Sequence, residues 1–265
     1  LLNPGPVNIT HRVRSALLKP DLCHREHEFS QLLQNIREKL IKLLCNNSPQ
    51  FTAVLFTGSG TAALEAAIAN SVDDYHSLLI INNGVYGERI KNIAQAYGLR
   101  FVELSCDWSA KPSLSDIEHA INKDDSISAI AMVHHETTTG LLNPVKDVGA
   151  IARINKKRFV VDSISGLGGE KFDIENSNVS LVISTANKCI HGLPGVSFII
   201  IKEDYLSEMS HFPERNLYLN IVNSHLLQVK GETPFTPAVQ IMYALEEALL
   251  ELEEEGLENR IACYK

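Results

Sequence analysis

Residues 53–69, AVLFTGSGTAALEAAIA, contain the pattern that decides the fold of this chain. The apolar run AVLF at 53–56 indicates a buried β-strand, and the alanine-rich sequence after Gly60 indicates a helix. The small residues from Gly58 to Thr61 join the two elements. A strand that passes through a tight turn into a helix is the beginning of the connection that parallel strands need.

The same order of strand and helix recurs along the chain. Further short apolar runs, most of them rich in β-branched residues, are LLII (78–81), FVEL (101–104), AIAMV (129–133), FVV (159–161), LVIS (181–184) and VSFIII (196–201). Continuous runs are typical of strands that helices cover on both faces. We therefore predict a doubly wound α/β fold with a mostly parallel, seven-stranded sheet between helices. Ligands are then expected at the C-terminal ends of the strands.

Helices are predicted before, between and after these strands. A long amphipathic helix is expected over 31–44 with Ser30 as its N-cap, and another over 238–255 with Gly256 as its C-cap. Shorter helices are expected between the strands, namely after Gly60, after Tyr86, over 115–121 and over 147–154.

The composition excludes several classes of function. The 24 Lys and Arg stand against 32 Asp and Glu, so the net charge is −8, and no basic block offers a site for nucleic acid. No apolar run approaches the roughly 18 residues of a membrane span, and the first residues do not read as a signal peptide. Five scattered cysteines without a CxxC pair are typical of reduced thiols. We therefore expect a cytoplasmic protein that binds neither membranes nor nucleic acids.

The turn from Gly58 to Thr61 is a candidate phosphate site. Small residues at a strand-to-helix turn let backbone N–H groups approach a phosphate, and the helix N-terminus adds partial positive charge. The turn is neither a GxxxxGK[ST] loop nor a complete GxGxxG fingerprint, so a triphosphate or a dinucleotide is not favoured. Taken alone, an ordinary tight turn with a capping serine explains it equally well.

Two titratable residues follow later strands. Asp162 ends the run FVV and can either cap the next turn or accept a hydrogen bond from a protonated ring nitrogen. Lys188 lies among small and apolar residues in STANKCIHG, and partial burial there would lower its pKa and leave an amine able to form a Schiff base. A phosphate cradle, an acid for a pyridine nitrogen and a desolvated lysine are together what pyridoxal phosphate requires.

The sequence resembles the class V aminotransferases of the fold-type I pyridoxal-phosphate enzymes, most closely their 2-aminoethylphosphonate branch. The strings that carry the resemblance span the chain: NPGP (3–6), GSGTAALEA (58–66), NNGVYGER (82–89), HHETTTGLLNP (134–144), VDSISGLGG (161–169) and STANKCIHGLPG (184–195). Asn187 stands before the lysine where the related cysteine desulfurases typically have histidine. ETTTG and ANKC are the strings specific to the 2-aminoethylphosphonate branch.

The resemblance implies pyridoxal 5'-phosphate as cofactor and Lys188 as the catalytic residue that bonds it and shuttles a proton. The other cofactor-binding positions that it implies are Ser59, Gly60 and Thr61 at the phosphate, Tyr86 stacked on the ring, Thr137 at the ring oxygen, Asp162 at the pyridinium nitrogen and Thr236 reaching the phosphate of a partner subunit. The last of these implies a homodimer with shared active sites. The loop Pro4-Gly5-Pro6 is expected near the substrate pocket.

The activity that the resemblance implies is transfer of the amino group of 2-aminoethylphosphonate to pyruvate, which gives phosphonoacetaldehyde and L-alanine. The partners would be a small amino donor and a 2-oxo acid. Two alternatives stay open: an alanine- or serine–glyoxylate-type transaminase, and a non-catalytic domain that binds a phosphate ligand. Lys188→Ala would distinguish the second of them from an enzyme.

The resemblance also implies a division of the chain. Residues 1–237 are expected to form the cofactor-binding large domain, and 238–265 a long helix that leads into a truncated small domain. In such enzymes the small domain carries the arginine that binds the acidic group of the substrate, and neither Arg215 nor Arg260 matches its position. We therefore expect these 265 residues alone to turn over weakly or not at all.

Two tempting alternatives are set aside. Adjacent histidines in an extended chain point to opposite faces, and no third ligand follows His134-His135-Glu136 at metal spacing, so no metal site is predicted. Cys189 is predicted to be a small buried packing residue, because a nucleophile there would compete with Lys188.

Overall fold

The computed structural model describes residues 3–264 and places most of its strands in one mixed sheet. Seven strands form this sheet, and β5 and β6 form a separate short ribbon. In chain order the strands are β1 Phe51–Gly58, β2 Ser77–Asn82, β3 Phe101–Ser105, β4 Ile127–Val133, β5 His135–Glu136, β6 Leu141–Leu142, β7 Arg158–Asp162, β8 Leu181–Thr185 and β9 Gly195–Lys202. The predicted seven-stranded α/β sheet is confirmed.

Helices lie before, between and after the strands. In chain order they are α1 His11–Ser15, α2 His27–Leu44, α3 Gly60–Ala69, α4 Val85–Ala96, α5 Leu114–Lys123, α6 Val145–Ile154, α7 Glu203–Met209, α8 Ile221–Gln228, α9 Val239–Glu255 and α10 Leu257–Cys263. A 3-10 helix over Ala16–Leu18 follows α1. None of the helices formed by residues 3–264 combines the length and apolar composition needed to cross a membrane.

The sheet is mostly parallel, with one antiparallel strand inside it. The strand order is β1-β9-β8-β7-β4-β2-β3, and every pair from β8 to β3 is parallel. Strand β9 runs antiparallel to both of its neighbours. The connection from β8 to β9, residues 186–194, is shorter than the dozen or more residues that a parallel crossover needs, so β9 has to reverse direction.

Strands β1, β7 and β8 run in the same direction, so their C-terminal ends lie at one edge of the sheet, where the antiparallel β9 begins. Gly58 at the end of β1 pairs with Gly195 at the start of β9, and Thr185 at the end of β8 lies opposite Ser197. Asp162 at the end of β7 pairs with Ile183 of β8. This edge is where a doubly wound sheet binds its ligand.

Two apolar layers cover the two faces of the sheet, as the continuous runs predict. Leu79 and Ile81 of β2 pack in the layer that contains α2 and α9. Leu78 and Ile80 of the same strand pack in the opposite layer, with α3 and α4. Because successive side chains of a strand point to opposite faces, a strand covered on both sides has no polar face, and all six residues of β2 are buried.

The predicted start of α2 is wrong by one turn. The helix begins at His27 and its N-cap is Glu26, whereas Ser30 lies inside it, with its backbone N–H bonded to the Glu26 carbonyl. Phe29 is fully buried in the core, so the apolar face of the helix extends upstream of the predicted start. The C-cap of α9 is Gly256, as predicted, with φ +84°.

The division of the chain into a large domain and a following helix at 237/238 stays a prediction. Residues 1, 2 and 265, which belong to the two predicted parts, lie outside the described residues. Helix α9 packs on the sheet rather than apart from it, since Leu245, Leu249 and Leu252 are buried in the same layer as α2. Lys39 of α2 pairs with Glu253 of α9 at 2.9 Å.

Candidate functional site

The predicted phosphate cradle forms the junction between β1 and α3. Ser59 is the N-cap residue, and within the described residues its side chain makes no capping hydrogen bond to the helix. A capping serine is therefore not what holds this turn. A Cβ on Gly60 would lie 3.0 Å from Ile164 Cδ1 and 3.4 Å from Thr185 Cβ. The absence of a side chain at Gly60 thus lets the start of α3 pack on the loop after Asp162 and on the end of β8.

Asp162 is a buried carboxylate with one oxygen in use. Its Oδ1 accepts a hydrogen bond from the backbone N–H of Ile164 at 2.9 Å. Its Oδ2 is buried and has no hydrogen-bond partner among residues 3–264. Burial raises the pKa of Asp162 to about 6; the Ile164 bond opposes this shift, and the negative charge of Glu136 adds to it. An unpaired buried acceptor of this kind suits a charged N–H donor such as a protonated pyridine ring.

Lys188 lies in the loop between β8 and β9 and is half-buried. Burial lowers its pKa, and the charges of Cys189 and Asp162 act in the opposite direction. A Cβ on Gly5 would overlap Lys188 Cδ, so the N-terminal loop lies directly on the lysine side chain. The backbone N–H of Val7 donates to the Asn187 carbonyl at 3.2 Å, which fixes that loop beside Lys188.

The backbone of the lysine loop is held by α10. Arg260 is almost fully buried and donates through Nη1 to the Cys189 carbonyl at 2.8 Å. Its Nη2 pairs with Glu255 Oε2 at 2.6 Å. Arg260 is not among the residues predicted from the sequence, because an arginine in a polar helix gives the same local signal whether it is solvated or buried. The predicted burial of Cys189 is confirmed, and its Sγ lies 3.4 Å from the Ser165 carbonyl.

Tyr86 lies in the first turn of α4, and a buried carboxylate holds its backbone. Glu136 is fully buried, and its Oε2 accepts the Tyr86 N–H at 3.2 Å. Its Oε1 accepts the Thr138 hydroxyl at 2.5 Å. A Cβ on Gly84 would overlap the Glu136 carboxylate, so only glycine permits this approach. Gly84, two residues before Tyr86, is the sequence signal that could have indicated a close neighbour such as Glu136.

Arg89 lies one helical turn after Tyr86 and connects α4 to the cradle. Its guanidinium carbon lies 4.6 Å from the centre of the Tyr86 ring. Its Nη1 donates to the hydroxyl of Thr61 at 3.4 Å. Arg89 is not among the predicted residues either, although its i+3 spacing from Tyr86 puts both on one face of the helix.

The two remaining predicted positions lie in loops. Thr137 is half-buried in the turn that joins β5 and β6, directly after Glu136. Thr236 is exposed and borders a small cavity with Thr57 and Tyr218. Neither position is tied to Lys188 by a hydrogen bond within residues 3–264, so their roles stay predictions.

In the histidine pair, contacts with neighbouring side chains hold His134. His134 is buried, its Nδ1 lies 2.8 Å from the Ser163 hydroxyl, and its ring centre lies 4.5 Å from that of Phe172. Burial lowers the pKa of His134 to about 4, and the charge of His135 adds to this. No three metal-ligating side chains gather anywhere in the part of the chain from 3 to 264.

Comparison with known proteins finds similar sequences and folds among the aminotransferases. The family model for aminotransferase class-V matches residues 12–262. A bifunctional phosphonoacetaldehyde hydrolase/aminoethylphosphonate transaminase of Clostridioides difficile (strain 630) is 38% identical over 268 residues, which cover 100% of this chain and 42% of the relative. A 2-aminoethylphosphonate–pyruvate transaminase of Lysinibacillus sphaericus (strain C3-41) is 37% identical over 257 residues, which cover 97% of this chain and 70% of the relative.

Solved structures show the same fold. An alanine–glyoxylate aminotransferase from Nostoc sp. is 29% identical with a TM-score of 0.91, over 98% of this chain and 69% of that one. A pyridoxamine-pyruvate aminotransferase from Mesorhizobium loti is 25% identical with a TM-score of 0.90, over 98% of this chain and 67% of that one. The chain therefore spans less than half of the bifunctional relative and about 70% of the shorter ones.

Proposed function

The chain belongs to the class-V aminotransferases, and on that basis we propose that it forms the cofactor-binding part of a transaminase that acts on 2-aminoethylphosphonate. The reaction would move the amino group to pyruvate and give phosphonoacetaldehyde and L-alanine. The names of both curated relatives support this donor. Pyridoxal phosphate is the cofactor of this class of enzyme, and the residues at the sheet edge fit it.

The observation that carries the proposal is the free oxygen of Asp162. A buried carboxylate oxygen that lacks a donor within residues 3–264 is costly unless a ligand supplies one. Pyridoxal phosphate, when bound, supplies a ring nitrogen that can be protonated, an aldehyde that condenses with amines and a ring that withdraws electrons. Asp162 would hold that nitrogen in its protonated form, because the carboxylate favours a positive partner.

The cradle and the tyrosine would fix the other parts of the cofactor. We assign the phosphate to the backbone N–H groups at the start of α3 and to the hydroxyls of Ser59 and Thr61, where the helix dipole favours a negative charge. Tyr86 would cover one face of the ring and exclude water from it. Thr137 would contact the oxygen on the ring.

Lys188 would perform the proton transfers. Its lowered pKa increases the fraction of neutral amine near neutral pH, which is the form that bonds an aldehyde or accepts a proton. When its amine is free, Nζ of Lys188 would accept the proton from the substrate carbon next to nitrogen. The same Nζ would then donate this proton, so one residue would serve as base and as acid.

A titration of the loaded full-length enzyme tests the reaction, because these 265 residues alone are expected to turn over weakly or not at all. We expect 2-aminoethylphosphonate to remove the absorbance band of the aldehyde form, and pyruvate to restore it. Loss of the band with L-alanine or L-serine and recovery with glyoxylate, but no response to 2-aminoethylphosphonate, would favour the glyoxylate-type alternative. Lys188→Ala is expected to abolish both changes, with exposed Lys123→Ala as the matched control. Cofactor binding and activity that both survive unaltered in K188A would refute the role of Lys188. Unaltered binding in a protein that shows no activity would favour a non-catalytic domain.

We further propose a homodimer in which Thr236 serves the phosphate site of the partner subunit. Thr236 is exposed, and the exposed apolar side chains of Leu217, Tyr218 and Leu226 offer a surface for a second copy. Mixing Lys188→Ala with Thr236→Val tests this, because each mixed dimer would contain one site with both substitutions and one with neither. We expect the band to return in the mixture; no recovery from a confirmed dimer would place Thr236 outside the partner's site.

A further inference from the structure

We propose that Arg89 is the cationic side chain of the cofactor's phosphate site and extends the cradle formed by Ser59, Gly60 and Thr61. The inference rests on the proposed function, because it takes the anion at this cradle to be the phosphate of pyridoxal phosphate. It adds a residue that the sequence comparison with the family did not place at the phosphate.

The guanidinium of Arg89 reaches the phosphate turn. Arg89 Nη1 lies 3.4 Å from Thr61 Oγ1, the hydroxyl next to the first backbone N–H groups of α3. The same guanidinium lies 4.6 Å from the centre of the Tyr86 ring. Arg89 therefore touches both features that would hold the cofactor, the phosphate turn and the stacking ring, although it belongs to neither motif.

The charge of Arg89 also suits an anionic ligand. The side chain is half-buried, and no carboxylate of residues 3–264 lies within ion-pair distance of it. Lys91, two residues later on the same helix, pairs with Glu88 at 3.0 Å and with Glu103 at 3.3 Å. Arg89 thus differs from its neighbour in keeping its charge without a counter-ion, in a place where the N-terminus of α3 adds further positive potential.

A phosphate group complements this arrangement. The planar guanidinium offers two parallel N–H donors that match two phosphate oxygens, and hydrogen bonds between charged groups are the strong ones. Its electrostatic effect also reaches Asp162, whose pKa it lowers. Arg89 would thus favour the two anionic groups of the site, the bound phosphate and the ionised carboxylate.

The competing explanation is that Arg89 only holds the Tyr86 ring in place. Pyridoxal separates the two, because it has the same ring and aldehyde as pyridoxal phosphate but a hydroxyl in place of the phosphate. A residue that supports the ring affects the binding of both compounds. A residue that binds the phosphate affects the binding of pyridoxal phosphate alone. The quantity to measure is therefore the dissociation constant of pyridoxal divided by that of pyridoxal phosphate.

The experiment titrates the cofactor-free chain with each compound and follows absorbance. We expect Arg89→Gln to raise the dissociation constant of pyridoxal phosphate by about 10-fold to 100-fold, as for loss of a hydrogen bond to a charged group. The dissociation constant of pyridoxal should rise by less than about twofold. Lys91→Gln, which removes one charge from the same helix, should leave the ratio unchanged. If Arg89→Gln does not fold, Arg89→Lys is the second variant, and we expect it to lower the ratio by several-fold, because lysine keeps the charge but lacks the paired donors.

Each outcome decides the proposal. Equal weakening of both compounds would show that Arg89 acts through Tyr86, and an unchanged ratio in both variants would equally overturn the assignment. Failure of the unsubstituted chain to bind pyridoxal phosphate at all would instead count against the proposed function. A selective loss for the phosphorylated compound supports Arg89 as a phosphate ligand.

Discussion

The carboxylate of Glu136 accepts a hydrogen bond from the backbone N–H of Tyr86 at 3.2 Å, across 50 positions of sequence. Glu136 is fully buried, and no cationic side chain of residues 3–264 pairs with it. The donor lies in the first turn of α4, where unpaired N–H groups carry partial positive charge. This contact fixes the start of α4 and with it the ring proposed to cover the cofactor.

Glu136→Gln is expected to destabilise the chain. The amide removes the negative charge at the helix N-terminus, and its NH₂ group can face a backbone donor, so the cost should be about 1–3 kcal/mol. Urea unfolding measures it, and a weaker affinity for pyridoxal phosphate should accompany it because Tyr86 loses its support. The exposed Glu118 on α5 gives the matched control, for which Glu118→Gln should stay within about 0.5 kcal/mol. Equal effects of the two substitutions would contradict the role of Glu136.

Asp162 should make the stability of the cofactor-free chain depend on pH. The pKa of Asp162 is about 6 in the folded chain, against its ordinary value of 3.8 in the unfolded chain. Between pH 3.8 and pH 6 the folded chain therefore binds a proton that the unfolded chain releases. The stability from this group is then present below pH 4 and lost as the pH rises to 6. As the pH rises from 4 to 7, the free energy of unfolding of Asp162→Asn should increase by on the order of 2–3 kcal/mol relative to that of the unsubstituted chain.

Urea unfolding across that range measures the difference. In the loaded protein the order should reverse, since a neutral amide in place of the carboxylate cannot stabilise a positive ring nitrogen and the cofactor should bind less tightly. A stability difference between the two chains that does not vary with pH would contradict the assigned pKa and its cause in burial.

Gly5→Ala should disturb Lys188 without unfolding the chain. Gly5 has φ +146°, and a Cβ there would overlap the lysine side chain. Displacing a reacting group by about 1 Å can cost on the order of 100-fold in rate, so the response of the loaded protein to 2-aminoethylphosphonate should slow about 10-fold to 100-fold. Gly98 has φ +64° and open space around its Cβ position, so Gly98→Ala isolates the cost of backbone strain. If both variants slow the response alike, the contact with Lys188 is not the cause.

Arg260→Gln should loosen the loop that carries Lys188. The substitution removes a buried donor to the Cys189 carbonyl and leaves Glu255 without its partner, at a cost of about 1–3 kcal/mol. Because Glu255 is one-third exposed, water replaces part of the lost pairing. We expect a lower melting temperature together with a slower rate of the spectral change. Arg260→Lys keeps the positive charge but lacks the planar pair of N–H donors. A slower rate after this substitution would show that Arg260 acts by positioning the lysine loop and not through its charge alone.

Most of the fold could be predicted from local sequence pattern. The continuous apolar runs indicated the seven strands because a strand covered on both faces has no polar side. The predictions were wrong where a short-range signal competed with packing. Ser30 resembles an N-cap, yet burial of Phe29 extends α2 to His27. The reversal of β9 depended on the length of a loop, which the composition of the strand does not reveal.

The sequence by itself determined the fold class and the identity of the three strand-end features, Gly58–Thr61, Asp162 and Lys188, because strand and helix patterns and turn chemistry are properties of neighbouring residues. Tertiary structure alone decided their supporting contacts: Arg89 with Thr61, Glu136 with Tyr86, and Arg260 with Cys189. These pairs lie 28, 50 and 71 positions apart. A charged side chain has the same local pattern in water and in the interior, and only the packing of distant elements sets its burial, its partner and so its chemistry.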